Sequence, residues 1–354
     1  KFPYKDEEFI RMWVADMEFA TPDVVIDGMR ERLDKRIFGY TRVFEKSYYE
    51  AFSAWCQRRY GWTFDRKELV MSNGIIPALY EMVEYICKPD EKVLFLTPSY
   101  AYFKYAADFS KRGYVCSDLH DEDGYYTIDF DDLAKKAADE KTTLFILCNP
   151  HNPVGRVWTK EELEKMGDIC LKHNVVIMDD EIHCDFTYPG FKFTSFMTLD
   201  EKYHNSLVLY TSPSKTFNVA GLQPANIIIK NPELRAAYRK ANAAAGYSQG
   251  SIMGQVAVKS VYTKGDEWVN ELVEYITGNM NYMRDFVKEN FPKAHFVDPE
   301  GTYLTWVDFS GYGFTDEELE HIMVEEAHLW LDSGKVFGPA TAQFERFNLA
   351  CPRA

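Results

Sequence analysis

The sequence predicts an α/β fold of three layers, with a mainly parallel sheet between helices, joined to a smaller α+β unit. Three observations lead there. Five short apolar runs, at 92–96, 144–148, 175–178, 207–210 and 226–229, are continuous rather than alternating, as strands covered on both faces are. Helical patterns fall between several of them, and such alternation of strand and helix favours parallel pairing. From about Asp266 the pattern changes to a long helical stretch (267–290), a run with alternating apolar residues (302–309) and a further helix from Thr315.

The helices carry their own start signals. Thr159 and Glu162 form a capping box ahead of the apolar stripe Leu163, Met166, Ile169 and Cys170. A second helix is expected to begin near Pro77, a residue suited to a first turn, and carries Leu79, Met82, Val83 and Ile86. We expect a large domain over residues 41–265, and a small domain built from 266–354 together with 1–40. No repeats, low-complexity stretches or Gly/Ser linkers interrupt the chain.

Composition bounds the partners. The 354 residues are 46% hydrophobic, enough for a large core. A net charge of -15 argues against a nucleic-acid partner, which demands a basic face. A phosphorylated ligand can still be held by local N–H groups. The seven cysteines, Cys56, Cys87, Cys116, Cys148, Cys170, Cys184 and Cys351, form no C-x-x-C pair. No metal site is expected from them, and a reduced, cytoplasmic compartment fits their odd number. No apolar run reaches membrane-spanning length and no signal peptide opens the chain, so no membrane partner is expected. The first residue is not Met and the last are Cys351-Pro352-Arg353-Ala354, so we expect both ends to be truncated.

Four polar clusters each follow a predicted strand. They are 97–100 (TPSY), 149–155 (NPHNPVG), 179–183 (DDEIH) and 212–215 (SPSK). In open α/β sheets ligands bind beyond the carboxyl ends of the strands, so all four should line one crevice. Each cluster alone also fits an ordinary turn, cap or solvated charge. Their shared position is what argues for a site. His173 and Asp179 are read as structural, one ending a helix and the other facing the neighbouring layer.

The chemistry on offer suits pyridoxal 5'-phosphate. Lys215, desolvated between small hydroxyl residues, loses its proton readily and can form an imine. Asp180 ends a buried strand, where an unpaired carboxylate is costly and a pyridinium N–H would satisfy it. Tyr100 can stack on a ring, and Asn152 and His183 can hydrogen-bond a ring oxygen. Gly74, Ile75 and Ile76 precede or open a helix whose N–H groups can cradle a phosphate, with the Ser212 hydroxyl beside them.

These residues, with 212–222 (SPSKTFNVAGL), resemble the fold-type I pyridoxal-phosphate enzymes of the class I/II aminotransferase superfamily. Segments 13–19 (WVADMEF), 38–41 (FGYT) and 348–353 (NLACPR) look like its bacterial cystathionine β-lyase branch, which includes C–S lyases and a maltose-regulon modulator. The resemblance covers essentially the whole chain and implies the transferase fold of that family. It implies that Lys215 tethers the cofactor, Asp180 faces the pyridine nitrogen and Tyr100 stacks on the ring. It assigns Asn152 and His183 to the ring hydroxyl, and Gly74, Ile75, Ile76 and Ser212 to the phosphate. Tyr40 would reach the phosphate across a homodimer interface. Arg346 would grip the α-carboxylate of a small amino-acid substrate, and Ala15 and Asp16 lie in an N-terminal segment that closes over it. One departure stands out. Many aminotransferases carry a phosphate-binding arginine after the lysine, and this chain has Gln223 in that stretch.

The activity implied is β-elimination from cystathionine or cysteine S-conjugates, releasing a thiol, pyruvate and ammonia. Transamination shares its first steps and stays open as the alternative. Sequestration of a transcription activator is a more distant one. A nicotinamide dehydrogenase is excluded, because no G-x-G-x-x-G follows a first strand.

Overall fold

The computed structural model describes residues 5, 8–40, 45–246 and 250–353. The chain enters through a two-residue strand, β1 (Ile10–Arg11), followed by helices α1 (Asp23–Asp34) and α2 (Lys46–Tyr60). Then come β2 (Leu69–Ser72), α3 (Ile75–Ile86), β3 (Lys92–Thr97), α4 (Ala101–Phe109), β4 (Gly113–Glu122) and β5 (Tyr125–Ile128). The βα alternation continues through α5 (Phe130–Ala137), β6 (Thr142–Cys148), α6 (Lys160–Lys172) and β7 (Val176–Asp180). It ends with β8 (Leu207–Thr211), β9 (Ala225–Ile228), α7 (Pro232–Ala244) and α8 (Ile252–Lys264).

Strands β2 to β9 form one eight-stranded sheet in the order β2-β9-β8-β7-β6-β3-β4-β5. The five strands β8, β7, β6, β3 and β4 pair in parallel, and β9, β2 and β5 add antiparallel edges. Alternate residues feed two cores. Val93, Phe95, Leu144, Ile146, Met178 and Val208 pack with buried residues of α3, α4 and α7. Leu94, Leu96, Phe145, Leu147, Ile177 and Leu209 pack with those of α2, α5, α6 and α8. Both faces are therefore dry, which is why the central strands read as unbroken apolar runs. Helix α1 lies along α8.

Helix α9 (Asp266–Asn290) leads to a second, four-stranded sheet of β10 (His295–Val297), β11 (Leu304–Asp308), β14 (Phe344–Asn348) and β13 (Asp332–Ser333), with α10 (Asp316–His321) between β11 and β13. β1 pairs in parallel with β12 (Leu329–Trp330), which ties the N-terminal segment to this unit. Met12, Ala15, Met17 and Phe19 join its core.

The five sequence runs coincide with β3, β6, β7, β8 and β9, each shifted or lengthened by one to a few residues. The α6 capping box forms as read, with Glu162 N donating to Thr159 Oγ1 at 3.1 Å and Thr159 N donating to Glu162 Oε2 at 2.8 Å. Helix α3 begins at Ile75 rather than near Pro77, because Gly74 (φ 109°) turns the chain directly into it. Three strands of the large sheet escaped the apolar-run reading. β2 is only four residues long. β4 and β5 form a polar edge hairpin, closed by Asp123 (φ 56°) and Gly124 (φ 86°) as type I′ turns require. In the run 302–309, Leu304, Thr305, Trp306 and Val307 are all buried, since β11 lies between β10 and β14.

Gly167 of α6 faces Tyr203, and a Cβ there would sit 2.6 Å from the ring atom Cε1. A gain in helix propensity of about 1 kcal/mol is then outweighed by overpacking of about 1–3 kcal/mol. Gly167→Ala should lower the midpoint of urea unfolding, and an unchanged or raised midpoint would contradict this packing.

Candidate active site

Strands β3 and β6 are parallel neighbours, yet the chain leaves β3 towards β4 and leaves β6 towards β7 on the other side. Beyond their carboxyl ends lies the crevice such a reversal creates. It is a cavity of about 570 Å³. The turns after β3, β6, β7 and β8 supply Tyr100, Asn152, Asp180, His183 and Lys215 to its wall. The N-terminal segment adds Trp13, Val14 and Ala15, the start of α3 adds Gly74, Ile75 and Ile76, and the small sheet adds Asp332 and Arg346.

Lys215 Nζ donates to the Ala15 carbonyl at 2.7 Å and lies 3.8 Å from Asp16 Oδ1. Burial pulls its ammonium below the ordinary lysine range, Asp16 opposes this and Arg346 reinforces it. Asp180 is buried at the end of β7, and alternation puts it on the face opposite to Asp179. Among the described residues its hydrogen-bond donor is Ile182 N–H, at 3.2 Å. Burial pushes its carboxyl up to about 7, against the pull of that N–H and of Lys215. His183 is pushed down to about 3 by burial and by the nearby Lys215 and Arg346, so it is neutral. Its Nδ1 is buried with no hydrogen-bond partner among the described residues.

These groups fit pyridoxal phosphate. A buried acid with one N–H donor accepts a ring N–H. Asn152 Oδ1 already accepts from Arg346 Nη1 at 3.1 Å, which leaves the Asn152 amide N–H groups to donate to a ring oxygen. Tyr100 caps α4 from the cavity wall, its ring stacked on Tyr102 with centroids 5.1 Å apart. The N-terminus of α3 has no side-chain cap, so its first N–H groups are available to an anion.

Three expected residues do not line this chain's cavity. Ser212 is buried but does not line the cavity; its hydroxyl donates to the Pro224 carbonyl and accepts from Ser214 N, and Ser214 lines the cavity instead. Among the described residues, Asp16 touches the site through Lys215. Tyr40 is 98% exposed. Residues 41–44, which include Thr41 of the 38–41 motif, lie outside the described residues.

Arg346, buried in the middle of β14, donates through Nη2 to the Trp13 carbonyl at 2.7 Å and to Asp332 Oδ2. It lies 4.8 Å from the centre of the Phe337 ring. Sequence reasoning missed Asp332, which approaches Arg346 only because β13 pairs with β14. It also missed Tyr303, whose hydroxyl donates to the same Ala15 carbonyl as Lys215 at 2.7 Å. Asp185 was missed as well. It accepts from Thr216 Oγ1 at 2.8 Å and from Tyr60 OH at 2.9 Å, and so anchors the residue next to Lys215. No local signal marked it, because its partners are 31 and 125 residues away along the chain.

Comparison with known proteins agrees with this architecture. The family model for aminotransferase class I and II matches residues 7–354. The chain is 38% identical to cystathionine β-lyase PatB of Bacillus subtilis over 343 residues, 97% of this chain and 88% of that protein. Cystalysin from Treponema denticola, solved with pyridoxal 5'-phosphate, superposes with a TM-score of 0.96 at 36% identity, over 99% of this chain and 89% of that one. The C–S lyase of Staphylococcus hominis gives 0.91 at 41% identity, over 98% and 88%. With nearly its whole length matched by the family model, this chain belongs to the aminotransferase class I and II family.

Proposed function

We propose that this chain is a pyridoxal-phosphate-dependent carbon–sulfur β-lyase. With water, it would convert cystathionine or a cysteine S-conjugate to a thiol, pyruvate and ammonia. Lys215 would hold the cofactor, with Asp180 at the ring nitrogen, Asn152 and His183 at the ring oxygen, Tyr100 on the ring face and the α3 N-terminus at the phosphate. When bound, the cofactor withdraws electrons from the substrate Cα, which stabilises negative charge there. Arg346 would bind the substrate α-carboxylate and so orient Cα–H towards Lys215. Lys215 Nζ, kept easily deprotonated by burial, is then placed to take that proton. The bond from Cβ to sulfur breaks as the thiolate leaves. Ala15 and Asp16, on the N-terminal segment, would close the site against water.

The observation that carries the lyase reading is the charge of the wall. Among the described residues lining the cavity, Lys215 and Arg346 are the only lysine or arginine. With Arg346 on the α-carboxylate, no second arginine is available for the side-chain carboxylate of a dicarboxylic amino donor. Apolar groups such as Trp13, Ile182, Val336 and Phe337 suit a thioether instead.

The same proposal includes a homodimer in which Tyr40 reaches the partner's phosphate. Its support is the outward apolar surface of that segment, where Ile37 is 66% and Phe38 56% exposed. A row of aromatics also runs out from the cavity wall, Tyr102, Tyr105 and Phe109, each in ring contact with the next. It includes the large and small domains over 41–265 and over 1–40 with 266–354, for which the docking of the N-terminal segment on the small sheet speaks. It includes a cytoplasmic location, supported by seven unpaired cysteines. No helix among the described residues is long and apolar enough to cross a membrane.

Two measurements test this reading. The purified protein should release pyruvate from cystathionine without a keto-acid acceptor, and strict dependence on an acceptor would replace lysis by transamination. Lys215→Ala should lose that turnover and should no longer retain pyridoxal phosphate after borohydride reduction.

A further measurement uses the cofactor-free chain. The Asp180 carboxyl has its pKa raised on folding from 3.8 to about 7, so between these values the folded state holds a proton that the unfolded chain has lost. Its contribution to stability therefore falls as pH rises through that window. Cofactor-free Asp180→Asn should be more stable than wild type by about 1–3 kcal/mol at pH 8, with the difference closing towards pH 4. A difference that does not change with pH in urea unfolding would remove Asp180 as the buried acid.

A further inference from the structure

Strands β13 and β14 pair so that Asp332 stands directly opposite Arg346. Side chains of directly opposed residues share one face of a sheet, and both of these reach the cavity. Arg346 is almost fully enclosed, whereas the Asp332 side chain keeps 25% of its surface exposed.

The guanidinium can fork a carboxylate along either of two edges, Nη1 with Nη2 or Nε with Nη2. Both edges need Nη2. Here Nη2 serves the Trp13 carbonyl and Asp332, Nη1 gives one hydrogen to Asn152, and Nε has no partner among the described residues. The remaining Nε and Nη1 hydrogens do not lie on one edge. An arriving carboxylate must therefore displace either Trp13 or Asp332 to bind with two hydrogen bonds. Trp13 belongs to the N-terminal segment, whose hold on Arg346 is one backbone carbonyl. Asp332 is fixed by its strand, and its departure would leave a desolvated carboxylate beside the site.

Trp13 is thus the group that yields, and the bound state has two carboxylates on one guanidinium. The other cavity cation, Lys215, is already offset, its Nζ lying 3.8 Å from Asp16 Oδ1. A third carboxylate at the far end of the substrate would add repulsion in a poorly hydrated pocket. A positive charge there would offset the excess.

We propose that Asp332 is a specificity-determining residue that selects amino acids whose side chain ends in a cation over those ending in a carboxylate. The proposal rests on the reading of Arg346 as the α-carboxylate grip. It does not depend on which reaction follows.

The test is a binding measurement on the protein loaded with pyridoxal phosphate. The probes are L-S-methylmethionine, L-methionine and L-glutamate, which end in a sulfonium cation, a neutral thioether and a carboxylate. None carries a leaving group at Cβ, and each would be titrated by the change in cofactor absorbance. Wild type should bind the sulfonium at least about tenfold more tightly than glutamate, with methionine between, at low salt. Asp332→Asn should compress that ratio to within about threefold.

Equal affinities in wild type, a ratio unchanged in Asp332→Asn, or no spectral response to any of the three would overturn the proposal. The wild-type ranking holds its value even if the variant fails to fold. Pyruvate release from cystathionine is scored separately. The expected ranking without pyruvate removes the lyase and keeps the specificity, and pyruvate without the ranking does the reverse.

Discussion

Enclosing one guanidinium obliges three distant parts of the chain to meet. Arg346 is almost without solvent, and a charge so placed is tolerable only if its N–H groups are taken up. Its partners are Asn152 from the turn after β6, Trp13 from the N-terminal segment and Asp332 from β13. Large sheet, entry segment and small sheet thus converge on a single side chain. Arg346 thereby helps to hold the entry segment across the mouth, beside Asn348, which donates to the Val14 carbonyl at 2.6 Å. The Ala15 carbonyl, shared by Lys215 and Tyr303, is a second point of attachment on the same segment.

The remaining polar groups obey the same rule from the other side. Asp180 and His183 are buried with fewer partners than their atoms can use. In a finished structure such groups are costly, and here they lie on the wall of one cavity. Two cations, Lys215 and Arg346, and two acids, Asp180 and Asp332, line it together. This arrangement is what a zwitterionic ligand with an aromatic cationic ring would complete. The supports behind it are also polar and dry. Asp185 ties the Lys215 loop to α2 through Thr216 and Tyr60, so the turn after β7 and the loop after β8 keep a fixed spacing.

Much of this was legible in the sequence. The central strands could be found because a strand dry on both faces leaves an unbroken apolar run, and the four clusters could be placed because each follows such a run. Lys215, Asp180, Tyr100, Asn152 and His183 all reach one wall for that reason. The edge hairpin of β4 and β5 could not be found the same way, because an edge strand with a wet face carries Asp, His and Glu among its apolar residues. Ser212 reads by position as a phosphate ligand, and its hydroxyl donates to the Pro224 carbonyl, a contact set by how the loop folds back.

By itself, then, the sequence determined the layered α/β architecture and the end of the sheet where chemistry could occur. Both follow from local periodicity and from residues adjacent to strands. Tertiary structure alone decided which side chains from remote segments complete the site. Asp332 meets Arg346 through strand pairing, Tyr303 and Lys215 meet at one carbonyl of the entry segment, and Asp185 reaches Thr216 across two loops. No spacing along the chain encodes these contacts, because they arise from the packing of one sheet, one helix layer and one segment against another.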